Sequence, residues 1–333
     1  MLGLIVRRLL QLPVILVVIY TLTLALAWAV PGNPMDHEGR RPPEEVQKAM
    51  KAQYNLDSFW GFYWTYLDSA TGVKWVRKSL DGSAAREAAG ARDAGISPPD
   101  RRVFDLGPSL QYRDRRVNEI VAASLPVSIT LGGIAILIAL FIGLGAGVVG
   151  AVKPGSGADM ATLGVALVGI SMPNFVIGTV LLLVFSVWLG VFPVAEWGPF
   201  GAVLPSITLS LPFAAYIARL TRMGMIETLS ADFIRTARAK GLPESRVLLK
   251  HALKNAFLPV LSFLGPATAL AMTGSFVVER VFNVPGMGQH FVNAVQNKDL
   301  FLIIGVVLIY STMLILFNLA VDVMYRWVDP RIE

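Results

Sequence analysis

The sequence predicts an all-α polytopic membrane protein with six transmembrane helices. Its composition is the first observation: 54% of the 333 residues are hydrophobic and 16% are charged, whereas soluble domains are nearer a quarter charged. The second is that the apolar residues form long runs without Asp, Glu, Lys or Arg, and about 20 such residues can cross the hydrocarbon as one helix. The runs that are long enough are Leu9–Met35, Ile120–Val152, Met160–Ala195, Trp197–Ala218, Asn255–Val278 and Leu300–Val321.

The first run and the two longest runs each allow a second interpretation. Leu9–Met35 follows Arg7 and Arg8 as the apolar part of a signal peptide does, but it is longer than such a segment and no small-residue cleavage site is obvious. Ile120–Val152 and Met160–Ala195 have 33 and 36 residues, fewer than the about 40 plus a turn that two crossings need. We therefore predict one retained helix in each run, with the excess length as tilt or an interfacial turn.

The basic residues predict the orientation of these helices. With a cytoplasmic N-terminus, the inside segments hold thirteen Lys and Arg, and the short outside loops hold two, Arg280 and Lys298. Cytoplasmic loops carry such an excess, so we predict N-in and C-in, and residues 31–119 are long enough to cross regardless of their charge. The chain is thus divided into residues 1–30 with the first helix, 31–119 as an extracytoplasmic insertion, and 120–333 as a core with the other five helices and the cytoplasmic loop 219–254.

The predicted insertion contains three recognisable stretches. Glu44–Met50 has a helical pattern, Phe59–Tyr66 is a run of aromatic residues, and Ser79–Asp100 is rich in Ala, Gly, Arg and Asp. The aromatic run either docks a peptide-like ligand or forms an interfacial belt or a small local core. The third stretch is predicted to be a loose insertion.

Several kinds of chemistry are disfavoured by what the sequence lacks. It has no cysteine, which removes disulfides and thiol catalysis, and no G-x-x-x-x-G-K-[ST] loop, so it is not expected to hydrolyse ATP. His37-Glu38 is followed by Arg41 where an H-E-x-x-H zinc helix needs histidine. The glycines of Gly145–Gly150 close an apolar helix, which favours helix packing over a dinucleotide site. An intramembrane hydrolase would also lack a nucleophile–base pair.

The most charged inside segment is the loop between the fourth and fifth predicted spans, Arg219–Lys254. Its residues predict two short helices joined at a sharp elbow. Ser230 or Asp232 suits the N-cap of the first helix, and Gly241 suits the left-handed C′ position that ends it. Pro243 fits the first turn of the second helix. From these residues alone, the elbow is either a dock for a partner's groove or a basic loop that enforces topology.

The tip of the elbow, Ala237-Arg-Ala-Lys-Gly-Leu242, resembles the EAA loop of ABC importer permeases in the form found in the dipeptide/oligopeptide/nickel group. The resemblance implies coupling helices that dock on the ATPase subunit and carry its closing motion to the spans. Arg235 and Thr236 stand where the general consensus has Glu and Ala, and Lys254 stands where it has Pro, so Glu-mediated contacts are not expected. The implied coupling residues are Asp232, Arg235, Thr236, Ala237, Arg238, Ala239, Lys240, Gly241, Leu242, Pro243 and Glu244.

A second stretch, from Gly274 to Gly288, resembles the G-x-x-x-x-E-x-x-F-x-x-P-G-x-G signature of the same permeases. An aspartate also precedes the last span, as in the family. The resemblance places this region beside the outer gate and the path from the binding protein. The implied gate residues are Glu279, Phe282, Pro285, Gly286, Gly288 and Asp299.

The same stretch can be interpreted from its residues without the resemblance. Pro285-Gly286 predicts a type II turn ahead of an interfacial helix. Glu279 is expected at the outer end of span five, where it snorkels or pairs with Arg280 or Lys298 unless it belongs to the gate.

The resemblance covers nearly the whole chain, with further matches at Asp105–Gly107, Leu125–Leu131 and Ser171–Phe175. It implies a type I ABC importer permease fold in the bacterial cytoplasmic (inner) membrane, forming half of a path for peptides, nickel chelates or other small solutes. The expected partners are the lipid bilayer, a homologous second permease, an extracytoplasmic solute-binding protein and two cytoplasmic ATPase subunits.

ATP and Mg²⁺ are expected on those ATPase subunits, and no cofactor or metal on this chain. The net charge of +6 is attributed to cytoplasmic loops, so no nucleic-acid partner is predicted. The alternative is an ion-coupled carrier or a channel. Either would need ionisable residues within the spans or an inverted repeat, and neither is seen in the sequence.

Overall fold

The computed structural model describes residues 2–30, 44–83, 86, 102–112, 115–273 and 275–328. His37-Glu38, Gly274 and most of Ser79–Asp100 lie outside these residues. Within the described part the regular elements are helices, which confirms the all-α prediction. They are α1 Leu2–Ala29, α2 Glu44–Tyr54, α3 Phe59–Ala70, α4 Val73–Leu80, α5 Val117–Val152, α6 Gly157–Ser171, α7 Asn174–Leu181, α8 Val203–Leu229, α9 Asp232–Ala239, α10 Glu244–Arg246, α11 Leu253–Ala256, α12 Leu258–Met272, α13 Phe276–Val281, α14 Met287–Gln296 and α15 Leu300–Val328, with π-helical segments at Leu182–Trp188 and Val247–Ala252.

The helices that can cross a membrane agree with the predicted number of spans. A pair of helices bent by 105°, Gly157–Ser171 and Asn174–Trp188, supplies a sixth span if the pair crosses once. The described segments that are long and apolar enough by themselves are Ile5–Ala29, Val117–Val152, Val203–Leu229, Leu258–Val281 and Leu300–Met324.

The prediction of a single helix in Met160–Ala195 is wrong, because this run breaks at Met172-Pro173. Met172 has an extended backbone with ψ 132°, the conformation favoured for a residue before proline, and Pro173 is the N-cap of α7. After α7 the chain continues as a π-helical segment, Leu182–Trp188. The run Ile120–Val152, by contrast, lies in one continuous helix, α5, as predicted.

The fourth predicted span lies too early in the sequence. The helix α8 begins at Val203 instead of Trp197 and continues beyond Ala218 to Leu229, so it includes Arg219 and Arg222. The apolar run stops at the first charge, whereas a helix continues as long as its backbone hydrogen bonds and its buried face are maintained.

The chain forms two compact units. One contains residues 1–12, 124–289 and 310–333, and the other contains residues 13–123 and 290–309. The described part of the predicted insertion therefore belongs to a unit that also includes most of α1 and the start of α15.

The core of the first unit is apolar and depends on close approach between helix backbones. A Cβ on Gly132 of α5 would lie 2.4 Å from the carbonyl oxygen of Ala271, and one on Gly147 would lie 2.5 Å from the Cβ of Thr221. The packing interpretation of the Gly145–Gly150 stretch is thus confirmed at Gly147. The buried residues of this core include Leu131, Ala135, Ala139, Leu209, Phe213, Ala214, Ile217, Val260, Leu261, Leu264, Ala267, Val278 and Phe282.

The core of the second unit is aromatic. The inward face of α3 carries Phe62, Tyr63 and Tyr66, which are buried. The hydroxyl of Tyr20 in α1 donates to the carbonyl oxygen of Tyr63 at 2.9 Å, and the ring of Phe301 in α15 lies 5.3 Å from that of Phe62. These residues of the aromatic run form a local core, one of the two interpretations drawn from the sequence.

Candidate coupling elbow and buried carboxylates

The first helix of the elbow ends as the sequence predicts. Gly241 has φ +72° and follows the last residues of α9 as its C′ residue, and its N–H donates to the carbonyl oxygen of Arg238 at 2.9 Å. The predicted N-cap is wrong. Ala231 occupies that position, because the Ser230 hydroxyl donates to the carbonyl oxygen of Glu227 at 2.7 Å and Asp232 pairs with a cation of its own helix instead.

The joint of the elbow is spanned by an ion pair. The guanidinium of Arg238 contacts Glu244 at 2.6 Å and 3.2 Å, which raises the pKa of Arg238 and lowers the pKa of Glu244. Pro243 precedes α10 as its N-cap, one position earlier than predicted. Because both charged groups are about half exposed, the pair stabilises the joint only weakly.

The elbow rests on a buried apolar cluster that joins it to two spans. Ile234 and Ala237 on the inner face of α9 are buried, together with Ala151 at the end of α5 and Met225 near the end of α8. The inner face of α9 is therefore packed in one cluster with the ends of these two helices. The remaining buried members are Val247, Ala252 and Ala256.

The outer face of the elbow is polar with two exposed apolar side chains. Phe233 is 45% exposed and Leu249 is 62% exposed, although large apolar side chains beside a buried cluster usually join it. Sequence reasoning missed both, because they lie outside the A-R-A-K-G-L motif. Among the implied coupling residues, the exposed ones are Asp232, Arg235, Thr236, Arg238, Ala239, Lys240, Gly241, Pro243 and Glu244, whereas Leu242 is half-buried and Ala237 is buried.

A buried ion pair, also missed by sequence reasoning, ties α6 to α8 in the same unit. The carboxylate of Asp159 is 2% exposed and accepts from Arg222 at Nε and a terminal nitrogen, at 2.5 Å and 2.7 Å. It also accepts from the N–H of Gly155 at 2.8 Å. The two-nitrogen contact fixes both the distance and the orientation of the two helices. The sequence offers only a charge beside an apolar run, since its partner lies 63 positions away.

Glu279 is fully buried in the middle of α13. Its carboxyl accepts from the hydroxyl of Ser128 at 2.8 Å and from the N–H of Gln289 at 3.3 Å. The Ser128 hydroxyl in turn accepts from the N–H of Met287 at 2.9 Å. The expectation that Glu279 snorkels is wrong, because its carboxyl is enclosed by the protein and satisfied by hydrogen bonds within the fold. Its described partners are neutral groups, which also include the N–H of Gly288.

The carboxyl of Glu279 explains why the last two glycines of the signature, Gly286 and Gly288, have no room for a side chain. A Cβ on Gly286 would lie 2.5 Å from the carboxyl carbon of Glu279, and one on Gly288 would lie 2.8 Å from a carboxyl oxygen. The type II turn prediction is wrong. A type II turn would need a positive φ at Gly286, and Gly286 does not have one. Its N–H donates to the carbonyl oxygen of Val284 at 2.8 Å, which makes a three-residue turn centred on Pro285. The predicted helix after this turn is α14.

The two remaining gate residues have different surroundings. Phe282 is buried, and its ring would lie 3.1 Å from a Cβ on Gly178. Asp299 belongs to the second unit and is also fully buried. It accepts from the Ser109 hydroxyl at 2.5 Å and from the N–H groups of Leu110 and Gln111 at 2.8 Å and 3.1 Å. Burial raises the pKa of Asp299, and these hydrogen bonds oppose the increase.

Known proteins match this chain over most or all of its length. Residues 135–333 match the family model described as the binding-protein-dependent transport system inner membrane component. The chain is 38% identical over 330 residues to the dipeptide transport system permease protein DppB of Bacillus subtilis (strain 168), covering 98% of this chain and 97% of that protein. It is 40% identical over 338 residues to the oligopeptide transport system permease protein OppB of Salmonella typhimurium, covering 100% of both.

A solved structure supports the fold. The chain resembles a chain of the MetNI methionine ABC transporter in an inward-facing conformation, with a TM-score of 0.50 and 18% identity. The match covers 63% of this chain and 97% of that one.

Proposed function

Since this chain belongs to the binding-protein-dependent transport system inner membrane component family, as a permease subunit of an ABC importer in the bacterial inner membrane, we propose that it forms half of a path for peptides. The similarity along the full length to a dipeptide and an oligopeptide permease protein carries this proposal. ABC importer permeases act with ATPase and substrate-binding subunits, and the assembly proposed here has one homologous permease, two ATPases and one binding protein. ATP and Mg²⁺ are bound by the ATPases in this proposal.

The elbow is proposed as the dock for one ATPase subunit. Phe233 and Leu249 are exposed apolar side chains within a charged surface, the composition of a recognition patch with an apolar centre and a polar rim. Its inner face packs against Ala151 and Met225, so force applied to the dock reaches α5 and α8 without an intervening flexible segment.

The Glu279 cluster is proposed as part of the outer gate. The carboxyl joins α13, the turn at Pro285 and the start of α14 through short contacts, and it connects them to Ser128 on α5. Movement of α5 relative to α13 would break a buried hydrogen bond, which gives this region two distinct arrangements instead of a continuum of intermediate ones.

Uptake into proteoliposomes tests the function. The complete importer is reconstituted with ATP and the ATPases inside and the binding protein outside, and labelled dipeptides and oligopeptides are offered in separate assays. We expect uptake that requires ATP and is lost when the ATPase subunits are catalytically inactive. Uptake driven by an ion gradient without ATP would support the carrier alternative. ATP-driven uptake of a nickel chelate without peptide uptake would support the other substrate class of the family.

A further inference from the structure

The outward faces of α3 and α4 form an exposed aromatic and apolar surface, here called the outer apolar face. It consists of Trp60 and Trp64 on α3, which are 63% and 62% exposed, and of further residues on α4. Trp60 and Trp64 are four residues apart, so they lie on one side of the helix, opposite the buried Phe62 and Tyr66. The α4 members are Val73, Val76 and Leu80.

The depth of this face follows from the contacts of α3 within its own unit. The ring of Trp28, near the outer end of the α1 span, lies 5.7 Å from that of Phe59, and the Tyr20 hydroxyl bonds the backbone of Tyr63. From Tyr20 to Trp28 the helix rises by about 12 Å. Phe301, in the first turn of the last span, contacts α3 from another side. α3 therefore lies along about the last 12 Å of α1 and against the first turn of α15, which places it beside the outer ends of two spans.

The composition of α4 is typical of a helix that lies at the membrane interface. Val73, Val76 and Leu80 form a stripe at helical spacing, and none of the residues of α4 is buried. The helix also contains Lys74 and Arg77 and no acidic residue, with the Arg77 guanidinium 2.8 Å from Asp68 of α3. Short helices with Trp and Leu on one side and Lys and Arg beside them lie in the interface plane of a bilayer, and tryptophan is enriched at that level.

We infer that the outer apolar face binds the phospholipid surface of the outer leaflet, with Trp60, Trp64 and the α4 stripe inserted at the headgroup level. The α3–α4 pair then anchors the second unit to the membrane beside the ends of two spans. A protein partner that covers the same face is the competing occupant. The lipid is favoured because the face continues the membrane level set by α1 and α15, and because exposed indoles separated by one turn suit an interface that is half apolar and half wet.

Single-cysteine spin labelling tests this inference in the complete importer, using partner subunits without reactive cysteine. The chain has no cysteine of its own, so Trp64→Cys and Leu80→Cys each give one nitroxide. The reference in lipid is Val14→Cys, because Val14 is exposed and lies deeper in the α1 span than the residues that contact α3. Collision rates are measured with oxygen, which concentrates in lipid, and with water-soluble chromium oxalate.

We expect the oxygen rate to exceed the chromium oxalate rate at positions 64 and 80, with a smaller excess than at position 14. A label at both positions that collides mainly with chromium oxalate would overturn the inference, since the face would then be in water. A label protected from both reagents would overturn it as well, because a protein would then cover the face. Two labelled sites on different helices keep the result decisive if one variant fails to fold.

Discussion

Gly241 gives the sharpest test of the coupling elbow. It has φ +72°, and no heavy atom lies within 4 Å of the position that a Cβ would take. A side chain at this position would contact no neighbour. A substitution therefore destabilises the elbow only through the left-handed backbone, by about 1–2 kcal/mol for an ordinary residue and by less for Asn. Proline cannot reach this φ and also removes the hydrogen bond from the Gly241 N–H to Arg238.

The expected effect on coupling follows from these costs. If only the folded elbow docks on the ATPase, a loss of 1–2 kcal/mol lowers the ratio of docking-competent to incompetent elbow by about 5–30-fold. In reconstituted importer, Gly241→Ala should raise, by up to that factor, the ATPase concentration that gives half-maximal transport-coupled hydrolysis. Gly241→Asn should raise it less than Gly241→Ala does, and Gly241→Pro should abolish coupled hydrolysis.

A matched control separates docking from general strain. Gly190 has φ +63° and open space around its Cβ position, so Gly190→Ala introduces the same backbone strain outside the elbow. It should lower the thermal midpoint to a similar extent as Gly241→Ala and leave coupled hydrolysis at the wild-type level. Normal coupling in Gly241→Pro, or equal uncoupling in both alanine variants, would refute the assignment of the elbow.

Three further predictions concern the packing and gate of the first unit. Arg222→Lys keeps the charge and loses the two-nitrogen contact with a buried carboxylate, so its thermal midpoint should fall more than that of Arg219→Lys at an exposed position; equal midpoints would show that the pair is not needed. Gly132→Ala places a Cβ 2.4 Å from a backbone oxygen and should lower the free energy of unfolding by about 1–3 kcal/mol. Gly145→Ala on the same helix has open space around its Cβ and should raise the free energy of unfolding by about 0.5–1 kcal/mol. Denaturant unfolding that ranks the two variants the other way would contradict the observed packing. Glu279→Gln preserves the volume but replaces one acceptor with a donor, so peptide uptake should fall while the subunits still copurify, and uptake at the wild-type rate would remove this residue from the gate.

The elbow shows how far local sequence signals extend. Gly241 was placed correctly because a left-handed C′ residue is a property of a few neighbouring residues. The N-cap was placed wrongly, because Ser230 and Asp232 can each bond a second partner besides the N-terminal N–H groups of the helix. The sequence does not show which of these partners is preferred. The exposure of Phe233 and Leu249 depends on which helix face meets the buried cluster, which is settled by contacts with α5 and α8.

The sequence by itself determined that the chain is an all-α membrane protein, and its motifs identified the family. Transfer of apolar side chains into lipid is a sum over consecutive residues, so it can be counted along the chain. Only the tertiary structure decided that Asp159 meets Arg222, that Gly286 and Gly288 make room for the Glu279 carboxyl, and that the aromatic run divides into a buried and an exposed face. These features depend on groups distant in sequence that become neighbours in space, and a linear pattern does not record which of them meet.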